Sequence, residues 1–197
     1  MMGYDFILIG ITSGGPKALY SIIEKFDESF NLPVIILQNL PVGFDKIFCE
    51  VFAEKAKLPI EIVDKETTLE NKIYLSKAGH ILNINENKHI IITNYRYQEN
   101  CISEFIKNCI KQKFKPIIVC LSGVLTKNDP LEGLKIAKEN DIPIIVQKID
   151  NDPNLTLRNE TSLPEAIIKK NYYTSIIKLN DIPQAILEII EKNEDKK

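Results

Sequence analysis

The chain has 197 residues, 44% of them apolar and 26% charged, with a formal net charge of −2. That is enough for one α/β domain with a full core, in the ordinary range for a globular protein. The near-neutral balance leaves no electrostatic footprint for nucleic acid, and no apolar run reaches the length of a membrane span or signal peptide, so we expect a cytoplasmic protein without membrane insertion. Cys49, Cys101, Cys109 and Cys120 show no Cys-x-x-Cys spacing and read as reduced thiols. His80 and His89 are too few for most zinc sites. No metal and no cofactor is expected.

In chain order, Phe6-Ile7-Leu8-Ile9 is short and β-branched, which reads as a buried parallel strand. A turn, Gly10-Ile11-Thr12-Ser13-Gly14-Gly15-Pro16, leads into apolar residues at helical spacing through Phe26. Pro33 to Gln38 is a second buried strand ending in Asn39-Leu40-Pro41, and Gly43 to Lys57 reads as a helix on Phe44, Ile47, Phe48, Val51 and Phe52. Ile60 to Val63 and Lys72 to Ser76 are short strands, followed by a turn, Lys77-Ala78-Gly79-His80. Ile81 to Ile84 and His89 to Ile92 form a hairpin around Asn85-Glu86-Asn87. Glu99 to Lys113 is a helix and Pro116 to Leu121 an apolar strand ending in Ser122-Gly123. Asp129-Pro130 then reads as the cap and first residue of a helix, Leu131 to Glu139. Pro143 to Gln147 is the next strand, and Ser162-Leu163-Pro164-Glu165 is a capping-box start. A short strand near Ser175 and a helix from Ile182 to Lys192 complete the order. With no repeat or linker, residues 1–197 form one domain with a frayed tail at 193–197. Alternating strands and helices predict an α/β doubly wound, mostly parallel sheet with flanking helices and a small β-hairpin at one edge.

The first turn is the chemical focus. It places hydroxyls at the carboxyl end of a strand and aims helix N–H groups at the same place, where open α/β sheets bind ligands. A dinucleotide fingerprint fails because Thr12 stands where the second glycine belongs, and a Walker A loop fails because Pro16 separates Gly15 from Lys17. A nucleophile on a strand-to-helix turn remains, with Thr12 or Ser13 as the hydroxyl and backbone donors as an oxyanion hole. The plainer reading is a tight βα turn whose hydroxyl caps the helix.

Five blocks in order resemble the catalytic domain of the CheB family, the chemotaxis protein-glutamate methylesterases. They are Gly10-Ile11-Thr12-Ser13-Gly14-Gly15-Pro16, Gln38-Asn39-Leu40-Pro41, Tyr74-Leu75-Ser76-Lys77-Ala78-Gly79-His80, Leu121 to Asp129, and Leu163-Pro164-Glu165-Ala166. The resemblance implies a Ser-His-Asp hydrolase that cleaves methyl esters on glutamates of chemoreceptor signalling domains. It puts the nucleophile position at Thr12, with Ser13 next to it, the general base at Asn39 and the acid at Asp129, in a loop with Thr126 and Lys127 inserted. We expect no counterpart of the family's receiver domain, because the first strand starts near Asp5.

The substitutions alter the chemistry. A hydroxyl attacks only when a base takes its proton, and an imidazole suits that task near neutral pH. The Asn39 amide takes no proton, and the extra methyl of Thr12 restricts its rotamer. Losing triad members costs roughly 10⁴ to 10⁶ in kcat. The leading expectation is therefore a methylesterase-like domain that is catalytically impaired and acts as a binding or regulatory module, its partner a chemoreceptor helix or another signalling protein. One alternative is an active ester hydrolase rebuilt from Ser13, His80 and Asp129. Another is a small-molecule or anion binder at the Gly14-Gly15 turn. A Ser13–Lys17 pair would need a buried lysine.

Overall fold

The computed structural model describes residues 3–12, 15–38, 43–94, 101–125, 130–149 and 161–194. The chain runs β1 (Phe6–Ile11), α1 (Gly15–Ile22), β2 (Val34–Gln38), α2 (Phe44–Ala53), β3 (Ile60–Val63), β4 (Thr67–Thr68), β5 (Ile73–Ser76), β6 (His80–Ile84) and β7 (His89–Asn94). It continues α3 (Cys101–Lys111), β8 (Pro116–Cys120), α4 (Leu131–Glu139), β9 (Ile144–Gln147), α5 (Ser162–Lys170), β10 (Ser175–Ile177) and α6 (Ile182–Glu194). Short 3₁₀ turns cover Ile23–Lys25, Glu28–Phe30 and Leu179–Asp181.

Seven strands form one sheet in the order β10-β9-β8-β1-β2-β5-β3. All neighbours in it are parallel. β1 is its axis, with every residue buried, because helices cover both faces of a parallel sheet. Its side chains alternate between two cores. Phe6 and Leu8 join Ile35, Leu37 and Ile118 beneath α3, α4 and α5, while Ile7, Ile9 and Ile11 join Val34, Ile36 and Val119 beneath α1 and α6. Phe6 meets Phe105 of α3 edge-on at 6.1 Å. The chain winds one way from β1 to β2 and the other way from β8 to β9, so the order reverses between β1 and β8. Their carboxyl ends therefore flank the crevice that this topology creates.

The expected hairpin exists as β6 and β7, antiparallel, but it belongs to a three-stranded sheet completed by β4. β4 was not legible as a strand because it is two residues long. It is held from below: the buried Tyr74 hydroxyl donates to the Thr68 carbonyl at 3.2 Å and accepts from the Glu70 N–H at 2.8 Å.

Several helix ends differ from expectation. α2 stops at Ala53, and Phe44, Ile47 and Val51 of its apolar stripe are 55%, 56% and 43% exposed. α6 continues through Glu194, past the expected end at Lys192, and 195–197 lie outside the described residues. α4 has the expected bounds, but Pro130 occupies its cap position, not its first turn, and makes no side-chain cap bond. The cap comes from another helix: Ser103 Oγ of α3 accepts from the Gly133 N–H at 2.8 Å. In α5 the expected capping box is rearranged. Thr161 is the cap residue and its hydroxyl donates to Glu165 at 2.8 Å, while Ser162 Oγ accepts from the Leu125 N–H at 2.8 Å. Ser162 thus ties the loop after β8 to α5.

Candidate functional site

The parallel register brings the candidate residues to one edge of the sheet. Ile11 pairs with Gln38, so Thr12 leaves β1 where Gln38 ends β2. Gly10 pairs with Cys120 on the other side, so Leu121 and Ser122 leave β8 at the same level. The turn after Thr12 closes through a bond from the Gly15 N–H to the Thr12 carbonyl at 2.9 Å. Gly15 is required there by space: an added Cβ would lie 2.0 Å from Ile11 Cγ2 and 3.0 Å from the Ser122 carbonyl oxygen. The approach of α1 to the β8 loop, which sets the crevice width, therefore depends on the missing side chain. Gln147 at the end of β9 accepts from the Ser122 N–H at 2.8 Å and holds the far wall.

Among the described residues, two polar atoms on this edge are shielded from solvent without a hydrogen-bond partner: Thr12 Oγ1 and Gln38 Oε1. Buried polar groups are nearly always paired, so two orphans on adjacent strand ends mark the crevice as a place that receives a polar group. The sequence signal that singles out Gln38 is a polar residue closing a strand otherwise built of Val34-Ile35-Ile36-Leu37.

Ser13, Asn39 and Asp129 lie outside the described residues. His80 is half-buried at the start of β6. Its Nδ1 lies 3.1 Å from the Ala78 carbonyl oxygen, and its own carbonyl accepts from Ser76 Oγ at 3.0 Å. A carbonyl only accepts, so Nδ1 is the donor of this bond. His80 lines a narrow cleft with Leu37, Gln38, Ser76, Ile81, Leu82 and Cys101, in which Thr12 has no part. His89 is paired elsewhere, its Nδ1 2.8 Å from Glu66 Oε1 beside β4. Lys17 is exposed, so it lacks the burial that would fit a lysine for proton abstraction. The thiols are not candidates either: burial pushes Cys120 up to about 12, and Cys101 and Cys109 upward for the same reason. Among the described residues no group of three His, Cys, Asp or Glu side chains could hold a metal ion, and no helix is long and apolar enough to cross a membrane.

The fold and this crevice define a doubly wound α/β protein with a hydroxyl-bearing strand-to-helix turn at its topological switch point. The chain belongs to the CheB methylesterase family, whose model matches residues 7–186. It is similar to the protein-glutamate methylesterase/protein-glutamine glutaminase of Clostridium acetobutylicum, 35% identical over 45% of this chain and 26% of that one. The corresponding protein of Bacillus subtilis is 21% identical over 96% of this chain and 54% of that one. The chain thus spans about half the length of such relatives, or less. Among solved structures, the CheB methylesterase catalytic domain of Thermotoga maritima superposes with a TM-score of 0.78 at 19% identity, covering 96% of this chain and 100% of that one. This likeness bears out the doubly wound fold with its small second sheet.

Proposed function

We propose that this chain is a CheB-type protein-glutamate methylesterase domain that binds methyl-accepting chemoreceptors but hydrolyses their esters far more slowly than a triad enzyme. The observation that supports the reading is Thr12. Its hydroxyl is shielded and meets no acceptor among the described residues, while the family's base position holds Asn39, whose amide cannot take a proton. In this reading Thr12, Ser13, Asn39 and Asp129 keep the shape of the site without its proton relay. What remains is binding and the polarising effect of backbone donors, which alone support roughly 10³ to 10⁴-fold catalysis over water. Chemoreceptor binding without efficient turnover makes the domain a regulatory module.

The test is incubation with a receptor cytoplasmic fragment carrying radiolabelled methyl esters. The reading predicts that the fragment is bound and that methanol release, although above the buffer control, stays orders of magnitude below that of a triad enzyme. Methanol release at ordinary enzyme rates that is abolished by Thr12→Ala would refute it. The rearranged site of Ser13, His80 and Asp129 makes an opposite forecast, stoichiometric labelling of Ser13 by a fluorophosphonate. The bond from His80 Nδ1 to the Ala78 carbonyl occupies the nitrogen that Asp129 would have to orient, which speaks against that site.

A further inference from the structure

Helix α2 carries an apolar seam that the fold leaves uncovered. Phe44, Ile47 and Val51 are exposed, and with the half-buried Phe48 they recur at i, i+3, i+4 and i+7. That is the spacing with which one helix packs another. Beside it α1 contributes Pro16, Lys17 and Tyr20, and the two helices enclose an open groove of about 330 Å³. Its floor is firm: Phe52 stacks on Phe48 at 4.2 Å and holds Tyr20 edge-on at 5.8 Å.

The banks of the groove differ in charge. At about 100° per residue, Glu50 and Glu54 follow Ile47 on the side away from α1, and both are exposed. The α1 side carries Lys17 and Lys55, the latter with its ammonium 4.4 Å from the Tyr20 ring centroid. Among the described residues none of these four charges is engaged in an ion pair. Antiparallel two-fold pairing with a second copy would set each bank against its own like charge. The seam is also short: the ten residues of α2 span about 15 Å, too little for the roughly 800 Å² per partner of a standard interface. The pattern suits transient contact with an amphipathic helix of another protein, acidic along one flank and basic along the other.

Position supplies the occupant. α1 and α2 follow β1 and β2, so the groove opens at its upper end beside Thr12 and Gln38. We propose that it docks a chemoreceptor helix, apolar residues on the Phe44–Val51 seam and acidic flank against Lys17 and Lys55, so that a glutamyl side chain reaches the crevice. This rests on the receptor-binding reading above and adds the surface that performs it.

The test is fluorescence anisotropy with a labelled soluble receptor cytoplasmic fragment, using wild type, Ile47→Glu, Val51→Glu and Lys17→Glu, each checked for folding by circular dichroism. We expect Ile47→Glu and Val51→Glu to weaken binding at least about tenfold. Lys17→Glu should weaken it severalfold and reduce its salt dependence. If wild type binds and the folded variants bind equally well, the groove is not the docking surface, although the receptor-binding reading stands. If wild type does not bind, both fall. A wild-type dimer in sedimentation that Ile47→Glu abolishes would assign the groove to a second copy and overturn the proposal.

Discussion

Thr12 shows how one atom carries the functional reading. In the proposed reading its hydroxyl takes the nucleophile's place, yet among the described residues it is shielded without a partner, and a hydroxyl with no proton acceptor is a weak nucleophile at neutral pH. The thiols provide an independent check of the same packing. Burial raises Cys120 to about 12 and Cys109 in the same direction, so neither is a thiolate at pH 8. Iodoacetamide at that pH should leave both unmodified in the native protein and alkylate all four cysteines in urea, as read by peptide mass spectrometry. Rapid native modification of Cys120 would mean that the central sheet is looser than described. The sequence made Thr12 visible through its place in a Gly-rich turn. It could not make Gln38 visible as an orphaned acceptor, because hydrogen-bond satisfaction depends on what the neighbouring strands bring.

At the scale of elements, the close crossing of α3 and α4 depends on a pair of small residues. A Cβ on Gly133 would lie 2.7 Å from Ser103 Cα, and Ser103 Oγ caps the Gly133 N–H. Ser103→Ala removes the acceptor from a buried donor and should cost about 1–3 kcal/mol. Gly133→Ala should cost a similar amount, about 1–3 kcal/mol, through overpacking. Urea denaturation measures both, and an unchanged midpoint for either contradicts the description. The second sheet has a pH-sensitive tie. Hydrogen bonds from His89 and Asn85 hold the Glu66 carboxyl below its ordinary range. A depressed folded-state pKa gives stabilisation that is present above the unfolded value and lost as pH falls through the folded one. The pair is solvent-exposed, so the effect is small. Glu66→Gln should flatten the fall of Tm between about pH 5 and pH 3, and an unchanged acid limb would show that the tie contributes nothing. Strand runs such as Val34 to Leu37 were legible because continuous burial leaves a continuous apolar sequence. The inter-helix cap from Ser103 and the bond between Ser162 and Leu125 were not, since each joins residues distant in the chain.

For the molecule as a whole, sequence order predicted a doubly wound sheet, and the strand order fulfils it with β1 at the axis. The reversal between β1 and β8 gathers the ends of three strands into one crevice, and the family match spans residues 7–186. Periodicity marked α2 as a helix with an apolar stripe but left open what covers that stripe, and in the structure Phe44, Ile47 and Val51 are exposed. A helical stripe reports that a face is apolar, not whether the sheet or another molecule covers it.

The most direct measurement of the central claim is methanol release from a methylated receptor fragment by wild type and by the double variant Thr12→Ser/Asn39→His. The account predicts slow release by wild type and an increase of at least about 10²-fold in the variant, because a serine and an imidazole restore the proton relay. Fast release by wild type, with no gain in the folded variant, would contradict it.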